Sequence, residues 1–271
     1  MSIRMIAFDL DGTLLNEAKA LTPLTVTTLQ QLAALDVQLV LCTGRPINAI
    51  WPYLAQLGLT GANHYVVTFN GALVQQVADR QILAQQSMTK ATLAPLVDFA
   101  HTVAWPLDVL DFEQVYPLSD LPASLYQQMN PALTFAPRTF MDLAADLQYS
   151  KAVVAAAPAL LAQGQQQLPL TLTQAFNVAS SRTNLLEFSP LAVTKAAALD
   201  ILLQRFGWQR ANLMAFGDQL NDLSMLQAAG VGVAMLNGVL AIKAVANQVT
   251  TVDNEHDGVA RFLRHYFDLK E

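Results

Sequence analysis

The sequence predicts an α/β protein whose core is a doubly wound parallel sheet. Short apolar runs, typical of buried strands, alternate with longer segments of helical periodicity, and this alternation favours parallel strands joined by helices. The pattern is interrupted once, because residues 84–188 are rich in Pro and Gln and differ in character from the flanking segments. We therefore expect a core formed by residues 1–83 and 189–271, with an α+β domain of residues 84–188 inserted into it.

The individual elements follow from these patterns in chain order. The predicted core strands are residues 5–9, 37–42, 65–69, 213–217 and 231–235. The predicted core helices are residues 25–35, 47–57, 195–206 and 220–229. In the insertion, apolar alternation predicts strands near residues 176–178 and 185–188, and helical periodicity predicts helices at 93–103 and 157–167.

Composition limits the classes of protein that this chain can belong to. With 271 residues it is long enough for a core and a second domain, since single cores stop growing near roughly 250–300 residues. The mean hydropathy is +0.33, but no uninterrupted apolar run approaches the roughly 20 residues that a membrane helix needs. The net charge of −6 argues against nucleic acid as a partner, because phosphate backbones demand basic surface. We expect a soluble, cytoplasmic monomer or small homo-oligomer that does not bind membranes.

The first predicted strand runs directly into two carboxylates, Asp9 and Asp11, which are separated by one residue and followed by Gly12. Like charges held close together repel, so one of the two must be neutralised by a proton or a cation. The arrangement suits a nucleophile (Asp9), an acid/base (Asp11) and a divalent metal ion. By itself the segment also fits a strand that ends in a polar turn.

Three further polar segments lie at predicted strand ends or helix starts. They are Thr43-Gly44-Arg45 after the second strand, Lys195 at the start of a helix, and residues 217–222 after the fourth strand. In an open parallel sheet, ligands bind in the crevice beyond the carboxyl ends of the strands. The segments should therefore converge with Asp9 and Asp11 on one site.

These four segments, in this order, resemble the signature motifs of the haloacid dehalogenase superfamily of phosphohydrolases, and their spacing resembles its Cof-type sugar phosphatase branch, subclass IIB. Residues 69–72 and 254–260 are similar to further motifs of the family. One departure is that Ala192 and Ala196 stand where the third motif usually has Gly. The resemblance implies a Rossmann-like core, an inserted cap domain that selects the substrate, Mg²⁺ as cofactor, and hydrolysis of a small phosphomonoester through an aspartyl-phosphate.

The resemblance also implies roles for the charged residues. Asp9 would attack phosphorus, and Asp11 would protonate the leaving group and then activate water. Lys195 would neutralise charge on Asp9 and on the phosphoryl group. Asp9, Asp11 through its backbone carbonyl, and Asp218 would hold the metal ion. Asp222 would orient water molecules or Lys195, and a direct ligand role for it stays open.

A second group of residues would contact the phosphate or the leaving group. By the resemblance, the phosphoryl oxygens would be bound by Leu10, Thr43, Gly44 and Asn221, together with Lys195. Arg45 either caps the helix that starts at Pro46 or lies near the substrate. Asn70 is a candidate for leaving-group contact. Among the cations of the inserted domain, Arg138, Lys151 and Arg182 could each bind a second anionic group.

The residues disfavour three alternatives to a phosphatase of this kind. A cysteine phosphatase is disfavoured, because Arg45 lies only three positions after Cys42 and a five-residue cradle is missing. A phosphomutase of the same fold would need a strongly basic cap, whereas residues 84–188 are poor in Arg and Lys. A non-catalytic sugar-phosphate binding protein would not need paired acids. The expected activity is therefore hydrolysis of a small soluble phosphate, with sugar phosphates as the expected class.

Overall fold

A computed structural model describes residues 2–131 and 133–269. The chain divides into two compact units. One contains the residues up to Gln85 and those from Thr194 onward, and the other is Gln86–Val193. From the sequence, the breaks were expected after residues 83 and 188.

The secondary structure alternates as follows. The strands are β1 (Met5–Phe8), β2 (Gln38–Cys42), β3 (Tyr65–Thr68), β4 (Leu73–Gln76), β5 (Ile82–Gln85), β6 (Asp108–Leu110), β7 (Val115–Pro117), β8 (Lys151–Ala155), β9 (Phe176–Arg182), β10 (Leu185–Pro190), β11 (Leu213–Gly217), β12 (Val231–Ala234) and β13 (Gln248–Val249). The α-helices are α1 (Pro23–Ala34), α2 (Ile47–Leu57), α3 (Lys90–Thr102), α4 (Tyr126–Met129), α5 (Pro158–Gln166), α6 (Leu170–Ala175), α7 (Lys195–Arg205), α8 (Leu223–Ala228), α9 (Leu240–Val245) and α10 (Gly258–Tyr266).

The first unit is built on a sheet whose order, for the strands in the described residues, is β13-β12-β11-β1-β2-β3-β4-β5. The strands from β13 to β3 pair in parallel, and β4 and β5 add an antiparallel hairpin to one edge. The chain moves from β1 toward β2 on one side, whereas β11 and β12 lie on the other side. The strand order therefore reverses at β1 and β11, which is where open α/β sheets bind ligands. The predicted fold class is confirmed.

Both faces of this sheet are covered, which explains why its central strands are continuously apolar. On one face, Phe8 and Phe216 stack with ring centroids 5.5 Å apart and belong to a core shared with Leu29 of α1 and Leu263 of α10. On the other face, residues such as Val40 of β2 pack with apolar residues of α7. The buried centre holds the carboxyl ends of β1 and β11 in fixed register.

The second unit is an antiparallel sheet of order β7-β6-β8-β10-β9, again for the strands in the described residues. One face packs against α3 and α5 around the fully buried Trp105, whose indole nitrogen donates to the Leu160 carbonyl at 3.1 Å. Gly164 makes this possible, because a Cβ at that position would lie 2.3 Å from the Trp105 ring. The unit is an α+β domain.

Several elements of the first unit differ from the sequence-based expectation. The helix predicted at 220–229 is a short 3₁₀ turn, Leu220–Asp222, followed by α8. The reason is that the Asp222 side chain accepts the backbone N–H groups of Asp218 and Gln219, which holds this segment as a tight turn. The β4–β5 hairpin, β13, α9 and α10 were not predicted. None of the helices in the described residues is long and apolar enough to cross a membrane.

Candidate active site

The site is centred on Asp9, the first residue after β1. Its backbone N–H donates to the Phe216 carbonyl at 3.0 Å, so it still belongs to the register of β1 and β11. Its carboxylate is almost fully buried and accepts a hydrogen bond from Lys195 Nζ at 2.5 Å. The register of the sheet therefore fixes the Asp9 carboxylate at the point where the strand order reverses.

Lys195 is fully buried at the first position of α7. The Thr194 hydroxyl accepts the Ala197 N–H at 3.1 Å and caps the helix, so the helix begins without Gly at residue 196. Lys195 Nζ also donates to Asp222 Oδ1 at 2.6 Å. The ammonium group thus links the carboxylates that follow β1 and β11.

A close backbone approach holds Lys195 in this place. Gly71 has φ 108°, and a Cβ there would lie 2.3 Å from the Thr194 carbonyl oxygen. The turn Phe69–Gly71 can therefore pack directly against the start of α7. Phe69 and Asn70 also have positive φ, 52° and 58°. Gly adopts positive φ freely, so the strained positions of this turn are Phe69 and Asn70, and backbone strain of this kind clusters at functional sites.

Asp218 and Asp222 complete the acidic cluster. Asp222 Oδ2 accepts the backbone N–H of Asp218 at 2.9 Å, which orients it toward Lys195. Asp218 Oδ1 accepts from the Thr13 hydroxyl at 2.8 Å. Gly12, with φ 82°, leaves room for Asp218, because a Cβ would lie 2.4 Å from Asp218 Oδ2. The loop after β1 and the loop after β11 are therefore interlocked.

The carboxylates of Asp9, Asp218 and Asp222 place ligand oxygens within 4.8 Å of one another, and all three are buried. Burial raises the pKa of Asp9 to about 8; Lys195 opposes this, while Asp222 and Asp218 add to it. Burial and the charge of Asp222 raise the pKa of Asp218 to about 6. Burial disfavours the Lys195 ammonium, but Asp222 and Asp9 outweigh it and raise its pKa above the ordinary range.

This cluster fits a divalent cation. It contains three carboxylates and one ammonium group, and Mg²⁺ prefers oxygen ligands such as carboxylates. The carboxylate of Asp11 is not part of the cluster. Its predicted contribution to metal binding is through its backbone carbonyl, and this remains a prediction.

The Asp11 carboxylate instead lies between two cations. Arg45 donates from Nε to Oδ2 at 2.7 Å and from a terminal nitrogen to Oδ1 at 2.5 Å, and Lys19 Nζ donates to Oδ1 at 2.7 Å. Burial opposes ionisation of Asp11, but the hydrogen bonds from Arg45 and Lys19 outweigh it and lower its pKa. Arg45 does not cap α2, since Pro46 is its N-cap residue and no side chain caps it.

Thr43, Gly44 and Asn221, which are predicted to bind phosphoryl oxygens, lie in the segments that follow β2 and β11. Thr43 follows β2, but its backbone N–H donates to the Val67 carbonyl at 2.9 Å, so only its hydroxyl fits the predicted role. Asn221 Nδ2 donates to Asn70 Oδ1 at 3.1 Å. A Cβ at Gly44 would lie 3.1 Å from that same Asn70 oxygen. The structure therefore brings Gly44, Asn70 and Asn221 together.

Leu10 and Arg182 are two further predicted residues, and Cys42 is the nucleophile of the disfavoured cysteine phosphatase. Leu10 is buried, and its carbonyl accepts the Thr13 and Leu15 N–H groups, which closes the loop after β1. Cys42 is buried, and burial raises the pKa of its thiol to about 12. A thiol with that pKa is a poor nucleophile at neutral pH. Arg182 is exposed at the end of β9 in the second unit, and its role in substrate binding stays a prediction.

Sequence reasoning did not identify two asparagines, from later segments of the chain, that donate hydrogen bonds to the loop after β1. Asn237 Nδ2 donates to the Gly12 carbonyl at 2.8 Å, and Asn254 Nδ2 donates to the Leu15 carbonyl at 2.9 Å. Asn254 lies in the segment 254–260 that resembles a family motif, which was the available signal. Lys19 had no such signal, because it lies in a polar loop.

Comparisons with known proteins agree with this geometry. A family model described as haloacid dehalogenase-like hydrolase matches residues 6–263. The 5-amino-6-(5-phospho-D-ribitylamino)uracil phosphatase YitU of Bacillus subtilis is 31% identical over 98% of both chains. The HMP-PP phosphatase of Serratia proteamaculans is 30% identical over 97% of this chain and 95% of its own. A solved haloacid dehalogenase-like hydrolase from Bacteroides thetaiotaomicron superposes with a TM-score of 0.85 at 26% identity, covering 98% of this chain and 100% of that one.

Proposed function

Since the chain belongs to the haloacid dehalogenase-like hydrolases and is a phosphatase, we propose that it hydrolyses small phosphomonoesters, with sugar phosphates as the expected class, through an aspartyl-phosphate on Asp9. The observation that carries this proposal is the contact of Asp9 with Lys195 at the point where the strand order reverses. Burial raises the pKa of Asp9 to about 8 in spite of Lys195, so a divalent cation bound beside Lys195 would be what keeps Asp9 ionised, as a nucleophile must be.

In the first half of the proposed reaction, a carboxylate oxygen of Asp9 attacks phosphorus in line with the leaving oxygen. Asp11, which its lowered pKa leaves ionised in the free enzyme at neutral pH, takes up a proton from solvent; it gives this proton to the leaving oxygen as the bond between phosphorus and that oxygen breaks. In the second half, water attacks the aspartyl-phosphate while Asp11 takes a proton from the water. Inorganic phosphate leaves, and Asp9 is again a carboxylate.

The surrounding groups supply electrostatic stabilisation, which dominates catalysis of phosphoryl transfer. Lys195 offsets charge on Asp9 and on the phosphoryl group. The Thr43 hydroxyl, the Asn221 amide and the backbone N–H groups of Leu10 and Gly44 bind phosphoryl oxygens. The buried position of Lys195 strengthens its effect, because charges interact more strongly where water is excluded.

Mg²⁺, held by the Asp9 and Asp218 carboxylates and the Asp11 carbonyl, would supply positive charge that offsets the charge of the phosphoryl oxygens. Asp222 orients Lys195. The first relative named above carries in its name a phosphate on a ribityl chain, which supports a small polyhydroxylated leaving group for this enzyme as well. The inserted domain, with Arg182 among its candidates, would select that leaving group.

The test is phosphate release from sugar phosphates, pyridoxal phosphate, flavin mononucleotide and p-nitrophenyl phosphate, with Mg²⁺ and with EDTA. We expect turnover with Mg²⁺ only, and its loss in Asp9→Asn and Asp11→Asn. Asp79→Asn, which changes the charge equally at an exposed position, should keep the activity. A phosphorylated isomer in place of free phosphate would indicate a phosphomutase. Binding without turnover would indicate a sugar-phosphate binding protein, and turnover that persists without the Asp9 carboxylate would contradict the mechanism.

A further inference from the structure

Both carboxylate oxygens of Asp11, the acid/base residue of the proposed reaction, accept hydrogen bonds from cations. Oδ1 of Asp11 accepts from both Arg45 and Lys19, and Oδ2 accepts from Arg45 Nε. The Asp11 side chain is 41% exposed, and that of Arg45 is 26% exposed, whereas Lys19 is 55% exposed. The bidentate partner is therefore the more buried of the two cations, and the fork of a guanidinium fixes a carboxylate in one plane.

Arg45 is itself held in place from several sides. Its backbone N–H donates to the Thr43 hydroxyl oxygen at 3.2 Å. Its guanidinium lies over the Tyr53 ring of α2, 5.9 Å from the ring centroid. The Tyr53 hydroxyl donates to the Lys19 carbonyl at 2.9 Å, so the aromatic side chain ties both cations to α2. A cation anchored in this way can impose a direction on the carboxylate that it holds.

We propose that Arg45 is a positioning residue for Asp11 and that its fork sets the direction from which Asp11 exchanges protons with the leaving group and with water. The inference rests on the proposed function, in which Asp11 is the acid/base. Oδ1 accepts from both cations, whereas Oδ2 accepts from Arg45 Nε alone, so the second lone pair of Oδ2 is the one that takes and gives the proton. In the first half-reaction that proton moves to the leaving oxygen as its bond to phosphorus breaks. Lys19, exposed and bound to one oxygen only, contributes less.

The inference is tested with phenyl phosphates whose ring substituents change the acidity of the leaving phenol but hardly change its size. A p-nitrophenolate leaves without a proton, whereas phenolate leaves much better when it receives one. We expect Arg45→Met to lower the single-turnover release of phenol from phenyl phosphate by about 10- to 100-fold, since a positioned acid contributes about 10²–10⁴-fold. Release from p-nitrophenyl phosphate should fall by less than about threefold. Arg45→Lys keeps the charge but not the fork. Its rate of phenol release should therefore lie between those of the wild type and Arg45→Met.

Arg80→Met is the matched control. Arg80 also lies over an aromatic ring, 5.3 Å from the centroid of Trp51, and donates to Asn48, so its loss removes a similar contact away from Asp11. This control should leave the dependence on leaving-group acidity unchanged. In the double variant Asp11→Asn/Arg45→Met, that dependence should be no steeper than in Asp11→Asn alone, because the two residues act as one unit.

The possible results distinguish a failure of this inference from a failure of the proposed function. An equal loss by Arg45→Met across the whole series would show that Arg45 acts on phosphate binding or folding, and would overturn the inference while the proposed function stands. Independent, multiplying effects of the Asp11 and Arg45 substitutions would overturn it as well. If the wild-type enzyme released phosphate from none of these esters or sugar phosphates with Mg²⁺, the proposed function would fail, and this inference with it.

Discussion

Asp108→Asn should make the protein more stable at neutral pH, by an amount that depends on pH. Asp108 lies on β6 and is fully buried. One of its oxygens accepts from the Ser124 hydroxyl, and the other, Oδ1, has no hydrogen-bond partner among the described residues. Burial raises the pKa of this carboxyl to about 6, with the Ser124 hydrogen bond opposing the rise. The ionised form is therefore destabilised in the folded protein.

The size and sign follow from the linkage between pKa and stability. The pKa rises from 3.8 to about 6 on folding, and each unit corresponds to about 1.4 kcal/mol, so ionised Asp108 costs about 3 kcal/mol. A raised carboxyl pKa means that the folded state binds the proton more tightly. The cost is absent below about pH 4, develops between about pH 4 and pH 6, and is complete above that range. Asn is neutral throughout and keeps an oxygen for Ser124.

The measurement is urea unfolding of the full chain at several values between about pH 4 and pH 7.5, followed by circular dichroism and tryptophan fluorescence. The difference in unfolding free energy between Asp108→Asn and the wild type should shift by about 3 kcal/mol in favour of the variant as the pH rises. Asp146→Asn, at an exposed position of the same unit, should show no comparable shift. A difference that is constant with pH, or one that favours the variant more at low pH, would refute the reasoning.

Three other predictions concern the site itself. Lys195→Met leaves buried carboxylates without their cation, so phosphate release should be lost, and thermal or urea unfolding should show a destabilisation of about 3–5 kcal/mol. Gly71→Ala places a Cβ 2.3 Å from the Thr194 carbonyl oxygen and should lower both stability and phosphate release, whereas Gly58→Ala, with nothing within 4 Å of its Cβ, should cost less and keep the activity. Mg²⁺ at about 100 times its dissociation constant should raise the unfolding free energy of the wild type by about 2.7 kcal/mol, and differential scanning fluorimetry should show little shift in Asp218→Asn.

Much of the core could be predicted from the sequence, because buried parallel strands are continuous apolar runs and their ends carry the polar residues. Asp9 after β1 and Asp218 after β11 follow directly from this pattern. The β4–β5 hairpin could not be found in the same way. Gln75 and Gln76 interrupt its apolar pattern, although Gln75 is buried in the structure. These two polar residues lie on β4, between β3 and β5, and their sequence pattern is typical of a loop.

The partner of Asp11 could not be predicted, because it depends on contacts between segments that are distant in sequence. The Pro that follows Arg45 favoured a helix start, and the side chain of Arg45 could then have served that helix or the site. In the folded chain α2 lies beside the loop after β1, and the Arg45 side chain donates to Asp11 in that loop. Lys19 reaches the same carboxylate from a loop residue with φ 58°, a local conformation with no clear sequence signal.

The charge balance of the site connects its structure with the proposed chemistry. Asp9, Asp218 and Asp222 carry three negative charges when ionised, and Lys195 supplies one positive charge, which leaves two negative charges in a buried place. Protons could neutralise them, but a protonated Asp9 would be a poor nucleophile. A divalent cation balances the same two charges and leaves Asp9 ionised. Backbone N–H groups orient Asp222 toward Lys195. The remaining carboxylate oxygens of Asp9 and Asp218 are therefore the ones expected to bind the cation.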